Sequence, residues 1–141
     1  MSDSKIDPSG DSLGMRGNND VVRLLRKHVP EGEASEVVIY SNFVIKINKR
    51  GKEQRRALLL TDKGIYNLMP KAYGTCKRRI ALDSIMGITN STTSEEFVVH
   101  IPNEYDYRFK MVSSCSLSIL FVCFNPLFCF WPSACILFSP Y

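Results

Sequence analysis

Between residues 36 and 110, apolar side chains recur with a period of two, in short runs broken by turn residues. No other feature limits the fold as much, because side chains alternate between two faces only along an extended strand. "EVVIYSNFVIKIN" is rich in β-branched and aromatic residues, and in it Ile45 and Ile47 alternate with Lys46 and Asn48. "RALLLTD" follows and turns at Asp62-Lys63-Gly64; "IYNLM" is closed by Pro70 and Gly74. "RRIAL" and "IMGIT" come next. "EFVVHI" sets Phe97, Val99 and Ile101 against Val98 and His100, and "YDYRFK" sets Tyr105, Tyr107 and Phe109 against Asp106, Arg108 and Lys110. About seven short strands at this spacing predict a mainly β, antiparallel barrel or sandwich. The expected core takes Ile45, Ile47, Leu58, Leu60, Phe97, Val99, Tyr107 and Phe109, which turns Lys46 outward.

Ahead of the strands, residues 1–19 are polar and rich in Gly, Ser and Asp, and read as a disordered leader. Residues 20–35 hold a short helix and a linker. Asp20 is the expected cap, Val21, Leu24, Leu25 and Val29 the apolar face, and Pro30 and Gly32 the stop. The leader lacks the apolar stretch of a secretory signal, so the compartment reads as cytosolic and the five cysteines as thiols.

The formal charge of +4 conceals a steep gradient. Residues 41–80 carry eleven cations against two acids, while residues 81–110 carry two against five. Six of the cations fall between positions 46 and 56, in "KINKRGKEQRR": Lys46, Lys49, Arg50, Lys52, Arg55 and Arg56. This stretch reads as a hairpin with cations on both strands and around the tip, where Gly51 permits the turn. Such a cluster gains roughly 1 kcal/mol per residue near an anionic leaflet, at most about 6 kcal/mol for six. That corresponds to affinities between about millimolar and about micromolar. A solvated hairpin that keeps a sheet edge soluble explains the same charges. Nucleic acid is the competing anion, and no aromatic residue interleaves the cations of the loop as single-strand binders require. Lys77-Arg78-Arg79 either widens the basic face as an auxiliary patch or is solvated at a strand start.

"VIKINKRGKEQRRALLLTDKGIYNL", "KRRIALDSIMGIT" and "SEEFVVHIP" together resemble the class I myosin tail homology 1 domain, a divergent pleckstrin-homology fold. The resemblance rests on Lys46, on the basic step Lys49-Arg50-Gly51, and on Arg56 followed by Leu58-Leu59-Leu60-Thr61; it spans residues 36–110. It implies a non-enzymatic membrane-association module. Its partners would be acidic lipids, phosphoinositides and phosphatidylserine, held by the basic loop between the first two strands, in a peripheral cytoplasmic protein linked to a myosin or cytoskeletal assembly. No cofactor is implied. A protein-binding pleckstrin-like domain and a tail-anchored membrane protein are the alternatives.

Catalysis has no support in the residues, since no phosphate-cradling glycine motif, nucleophile elbow or paired acid and base is present. His28 and His100 are too few and too separated for a metal site. Residues 111–141 are a different polymer, with no charged side chain, four of the five cysteines and prolines at 126, 132 and 140. About 20 apolar residues can span a bilayer, but Pro126 and Pro132 interrupt the best window. A helix closing the barrel would need an amphipathic period that is missing, and a read-through ending is the third reading. The segment is expected to be poorly ordered or loosely packed.

Overall fold

The computed structural model describes residues 10–91, 93–102, 104–112 and 135–139, the last stretch by its backbone path. A single 3₁₀ turn, Met15–Gly17, leads into helix α1, Asn19–Arg26. Seven strands follow: β1 Val38–Ile47, β2 Glu53–Thr61, β3 Gly64–Met69, β4 Ala72–Ala81, β5 Gly87–Ser91, β6 Glu96–His100 and β7 Tyr107–Met111. They form one antiparallel sheet in the order β4-β3-β2-β1-β7-β6-β5, extended at the β5 edge by β8, Cys135–Ser139. The expected mainly β fold with a short N-terminal helix is therefore what this chain adopts. β1 joins the halves, pairing with β2 along its length and with β7 from Val44 to Ile47.

Two apolar layers flank the sheet. The concave layer takes Tyr40, Val44, Leu58, Leu60, Ile65 and Ile80 from one half, and Ile88, Phe97, Val99, Tyr107 and Phe109 from the other. Phe97 and Phe109 stack with centroids 5.3 Å apart. The outer layer lies beneath the helix, where Met15, Val21, Leu24 and Leu25 cover Ala57, Leu59, Tyr66 and Leu68. Two-sided cover is why Leu58, Leu59 and Leu60 are all buried in an otherwise alternating chain.

Several expectations change. Ile45 and Ile47 are only half-buried, and Val44 takes the core position in their place. Alternation defines two faces without saying which one a helix or second sheet half will cover, and an irregularity between Val38 and Tyr40 resets the faces of β1. Lys46 thus shares the concave side with Val44. The predicted faces of β6 and β7, with Phe97, Val99, Tyr107 and Phe109 inside, match the structure. Residues 10–19 are not a free leader: Met15 is fully buried, the Asp11 carboxylate accepts from Met15 N and Arg16 N, and Arg16 donates to Val38 O. Residues 1–9 lie outside the described residues. The helix cap is Asn18, whose Oδ1 accepts from Asp20 N and Val21 N. Gly74, expected to close a strand, lies inside β4.

At the other end the predicted limit at residue 110 is one residue short, since Met111 pairs with Val44 and is buried. The backbone of residues 135–139 pairs in parallel with Gly87–Ser91. A closing helix over residues 114–125 and the membrane window around Pro126 and Pro132 lie outside the described residues. Among the described residues, no helix is long and apolar enough to cross a membrane.

Candidate functional site

The loop joining β1 to β2 is built by one side chain. Asn48 Oδ1 accepts from the backbone N–H groups of Arg50 and Lys52, both at 2.9 Å, an Asx arrangement that fixes the turn locally. Asn48 N donates to Lys52 O, Gly51 N donates to Asn48 O, and Gly51 takes φ +79°, open to glycine at little cost. The loop therefore presents Lys49, Arg50 and Lys52 to solvent on a braced frame.

Beside it, the connection between β6 and β7 brings up two aromatic rings. Lys49 Nζ lies 4.5 Å from the Tyr105 centroid, and Lys46 Nζ lies 5.4 Å from that of Tyr107. The rings are 4.9 Å apart. Burial first, then a hydrogen bond with Tyr105, push the Tyr107 phenol up to about 12. Between loop and connection is an open cavity of about 690 Å³, lined by Lys46, Lys49, Arg50, Arg108, Tyr105 and Asp106 among others. Arg108 is held bidentately by Glu96 at 2.8 Å, and Asp106 Oδ2 lies within hydrogen-bond distance, 2.9 Å, of His100 Nδ1. None of the six loop cations is ion-paired among the described residues.

The predicted set is thus only partly gathered. Lys46, Lys49 and Arg50 line the cavity, whereas Lys52, Arg55 and Arg56 do not. Arg55 lies on the opposite face, its guanidinium 4.4 Å from the Phe43 ring. Arg56 shares the concave face with Val44 and bonds to Gln54 Oε1 and to Arg55 O. The triplet Lys77-Arg78-Arg79 does not form one patch. The β3–β4 register places Arg78 opposite Asn67 and Cys76 opposite Leu68, which leaves Lys77 unpaired at a bulge. Arg78 faces the concave side and is ion-paired with Glu104. Arg79 faces the other way and bonds to the Tyr66 hydroxyl and to Glu36, a buried structural network. Burial lowers the Arg79 pKa, but the Tyr66 hydrogen bond and Glu36 outweigh it, so the net shift is upward. His28 packs edge-on to Tyr66, remote from His100, which sits between Thr89 and Asp106.

Tyr105 and Tyr107 were not legible as site residues. Their only signal was the alternation of "YDYRFK", which reads equally as a strand. Their proximity also removes the argument that no aromatic accompanies the cations. What separates this site from a base-stacking platform is burial: Tyr107 is 3% exposed, which leaves only the half-exposed Tyr105 ring open.

A curved antiparallel sheet with a charged loop at one mouth is the architecture of pleckstrin-homology domains. The Slm1 PH domain solved with inositol-4-phosphate superposes with a TM-score of 0.55 at 17% identity, covering 64% of this chain and 96% of that one. The carboxyl-terminal PH domain of pleckstrin gives 0.56 at 14%, covering 64% and 97%. The fold is that of a PH-like module. More specifically, the chain belongs to the unconventional myosin tail family, described as actin- and lipid-binding, which matches residues 9–120. Myosin heavy chain IB of Acanthamoeba castellanii is 33% identical over 84 residues, 56% of this chain and 7% of that protein. Myosin IF heavy chain of Dictyostelium discoideum is 39% identical over 61 residues, 43% and 6%. Unconventional myosin ID of Drosophila melanogaster is 27% identical over 108 residues, 74% and 11%. The chain spans only about a tenth, or less, of the length of these relatives. Tail and PH-like families are non-catalytic modules; the enzymatic part of a full myosin is its motor.

Proposed function

We propose that this chain is a peripheral membrane-association module, at the cytoplasmic face, that binds acidic lipid headgroups at the cavity beside the β1–β2 loop. One observation carries the reading: Lys46, Lys49 and Arg50, none of them ion-paired among the described residues, converge on a cavity of about 690 Å³. The family's description as lipid-binding and the inositol-4-phosphate held by the Slm1 PH domain support it. Phosphoinositides fit the cavity and phosphatidylserine supplies the surrounding field. Four cations with no ion pair among the described residues, Lys46, Lys49, Arg50 and Lys52, contribute about 4 kcal/mol near an anionic surface. This corresponds to about millimolar affinity for one module, so binding is reversible, salt-sensitive and dependent on a second contact.

Vesicle co-sedimentation tests it. Changing Lys46 and Lys49 together to Ala should remove about 2 kcal/mol, about 30-fold in affinity for phosphatidylcholine vesicles containing phosphoinositide. Lys63→Ala, at the far end of β2, should change it by less than about threefold. Equal losses from both would replace the cavity with a diffuse electrostatic patch. The family is also described as actin-binding, and pelleting with filaments in the absence of lipid distinguishes a protein partner at the same face.

A further inference from the structure

The basic cavity holds one acid, and that acid is tied to a histidine. Among the described residues, Asp106 is the only acid that lines the cavity, in the company of Lys46, Lys49, Arg50 and Arg108. Its Oδ2 lies 2.9 Å from His100 Nδ1, and His100 Nε2 lies 2.6 Å from Thr89 Oγ1. The imidazole stands at the end of β6, its side chain 28% exposed. It is thus pinned at both nitrogens, by β5 on one side and by the β6–β7 connection on the other. Both charge states of the ring are satisfied in this one position. An ionised carboxylate only accepts, so Nδ1 carries a hydrogen toward Asp106. In the neutral ring Nε2 accepts from the Thr89 hydroxyl; in the charged ring Nε2 donates, and the hydroxyl has only to rotate.

The other charges around the ring are already matched. Neither β5 nor residues 135–139 carry a charged side chain. On β7, Arg108 is held by Glu96, and Lys110 stands opposite the same Glu96. In the connection, Glu104 is ion-paired with Arg78, so Asp106 is the acid that the imidazole meets. We propose that His100 and Asp106 form a proton-controlled regulator of the headgroup cavity. While His100 is neutral, Asp106 leaves a net negative charge beside the binding cations. When the ring takes up a proton, the pair becomes net neutral and the cavity holds an anionic headgroup more tightly. The proposal rests on the headgroup reading above and adds its regulation. Imidazole is the side chain that ordinarily changes charge between pH 5 and 8. The sign follows: affinity for an acidic membrane rises as pH falls. Cancelling one negative charge at an anionic surface is equivalent to adding one cation, about fivefold in affinity.

The test uses the full chain and phosphatidylcholine vesicles containing phosphatidylinositol bisphosphate, co-sedimented at pH 7.5 and at pH 5.5 at constant ionic strength. The lipid phosphates titrate in this window too, so each variant is read against the wild type at the same pH. Relative to His100→Gln, the wild type should gain about fivefold in affinity between pH 7.5 and pH 5.5. His28→Gln, at the chain's other histidine, should follow the wild type at both. Asp106→Asn should tighten binding about fivefold at pH 7.5, and it carries the test if the glutamine variant fails to fold. A ratio of wild type to His100→Gln that is the same at both pH values would overturn the proposal. So would an Asp106→Asn variant that binds like the wild type at pH 7.5. In either of those cases, a large loss in the Lys46, Lys49 double variant would leave the headgroup reading intact. No binding by the wild type at either pH would end the headgroup reading and this proposal with it.

Discussion

Single residues decide more here than their chemistry alone announces. Glu36 is 7% exposed and accepts from Thr61 Oγ1 at 2.7 Å, from the Tyr66 hydroxyl and from Arg79 Nη2 at 3.2 Å. Glu36→Ala would strand Arg79 and should cost about 3 kcal/mol, the low end for a buried pair because Arg79 is partly exposed. Urea denaturation at pH 7 measures it, and a loss under 1 kcal/mol would make the network incidental. The phenols set an alkaline limit. Burial and Glu36 raise Tyr66 well above its ordinary value, and Tyr107 rises from 10.0 to about 12. Below pH 10 folded and unfolded chains both keep these protons. Above it the unfolded chain releases them first, so stability falls from pH 10 toward 12. At pH 11 each phenol accounts for about 1 kcal/mol of that loss. Tyr107→Phe should flatten the decline between pH 9 and 11; an unchanged slope would sink the assignment.

At the scale of elements, the β1–β2 loop works as a frame because its backbone is tied to Asn48. Asn48→Ala removes both Asx hydrogen bonds while leaving every cation in place. Vesicle affinity should fall about threefold to tenfold from the lost preorganisation, with the salt dependence unchanged. Unaltered affinity would show that the cations act as mobile charges. Gly51→Val forces a β-branched residue to φ +79° and should cost about 1–2 kcal/mol in thermal stability. Helix α1 shows how narrowly a local signal can miss. Both Asn18 and Asp20 are good caps, and the one whose following residues turn helical first wins, placing Asp20 in the first turn.

The whole molecule has two apolar layers on one sheet, and the second is supplied from outside the strand-rich region. Met15, Val21, Leu24 and Leu25 each bury a side chain worth about 1.5–3 kcal/mol. Their sum rivals the total stability of an ordinary domain, about 5–15 kcal/mol. A chain beginning at residue 30 should therefore fail to fold cooperatively and should bind a hydrophobic dye, while one beginning at residue 10 should melt like the full chain. Cooperative melting of the shorter chain would demote the outer layer to an accessory.

What the sequence determined by itself was periodicity and charge. The runs around Leu58, Phe97 and Tyr107 read as strands, and six cations gather between positions 46 and 56, because both facts are local to the chain. The tertiary structure decided which face was inside. Val44 displaced Ile45 and Ile47 because the helix and the second half of the sheet chose the covered sides, a choice made by segments distant in sequence. It likewise gave three neighbours, Lys77, Arg78 and Arg79, three different surroundings, since one bulge separates their directions. Tyr105, Tyr107 and Glu104 reached the basic mouth only because β7 pairs with β1, a contact across some sixty residues of chain that no local pattern encodes.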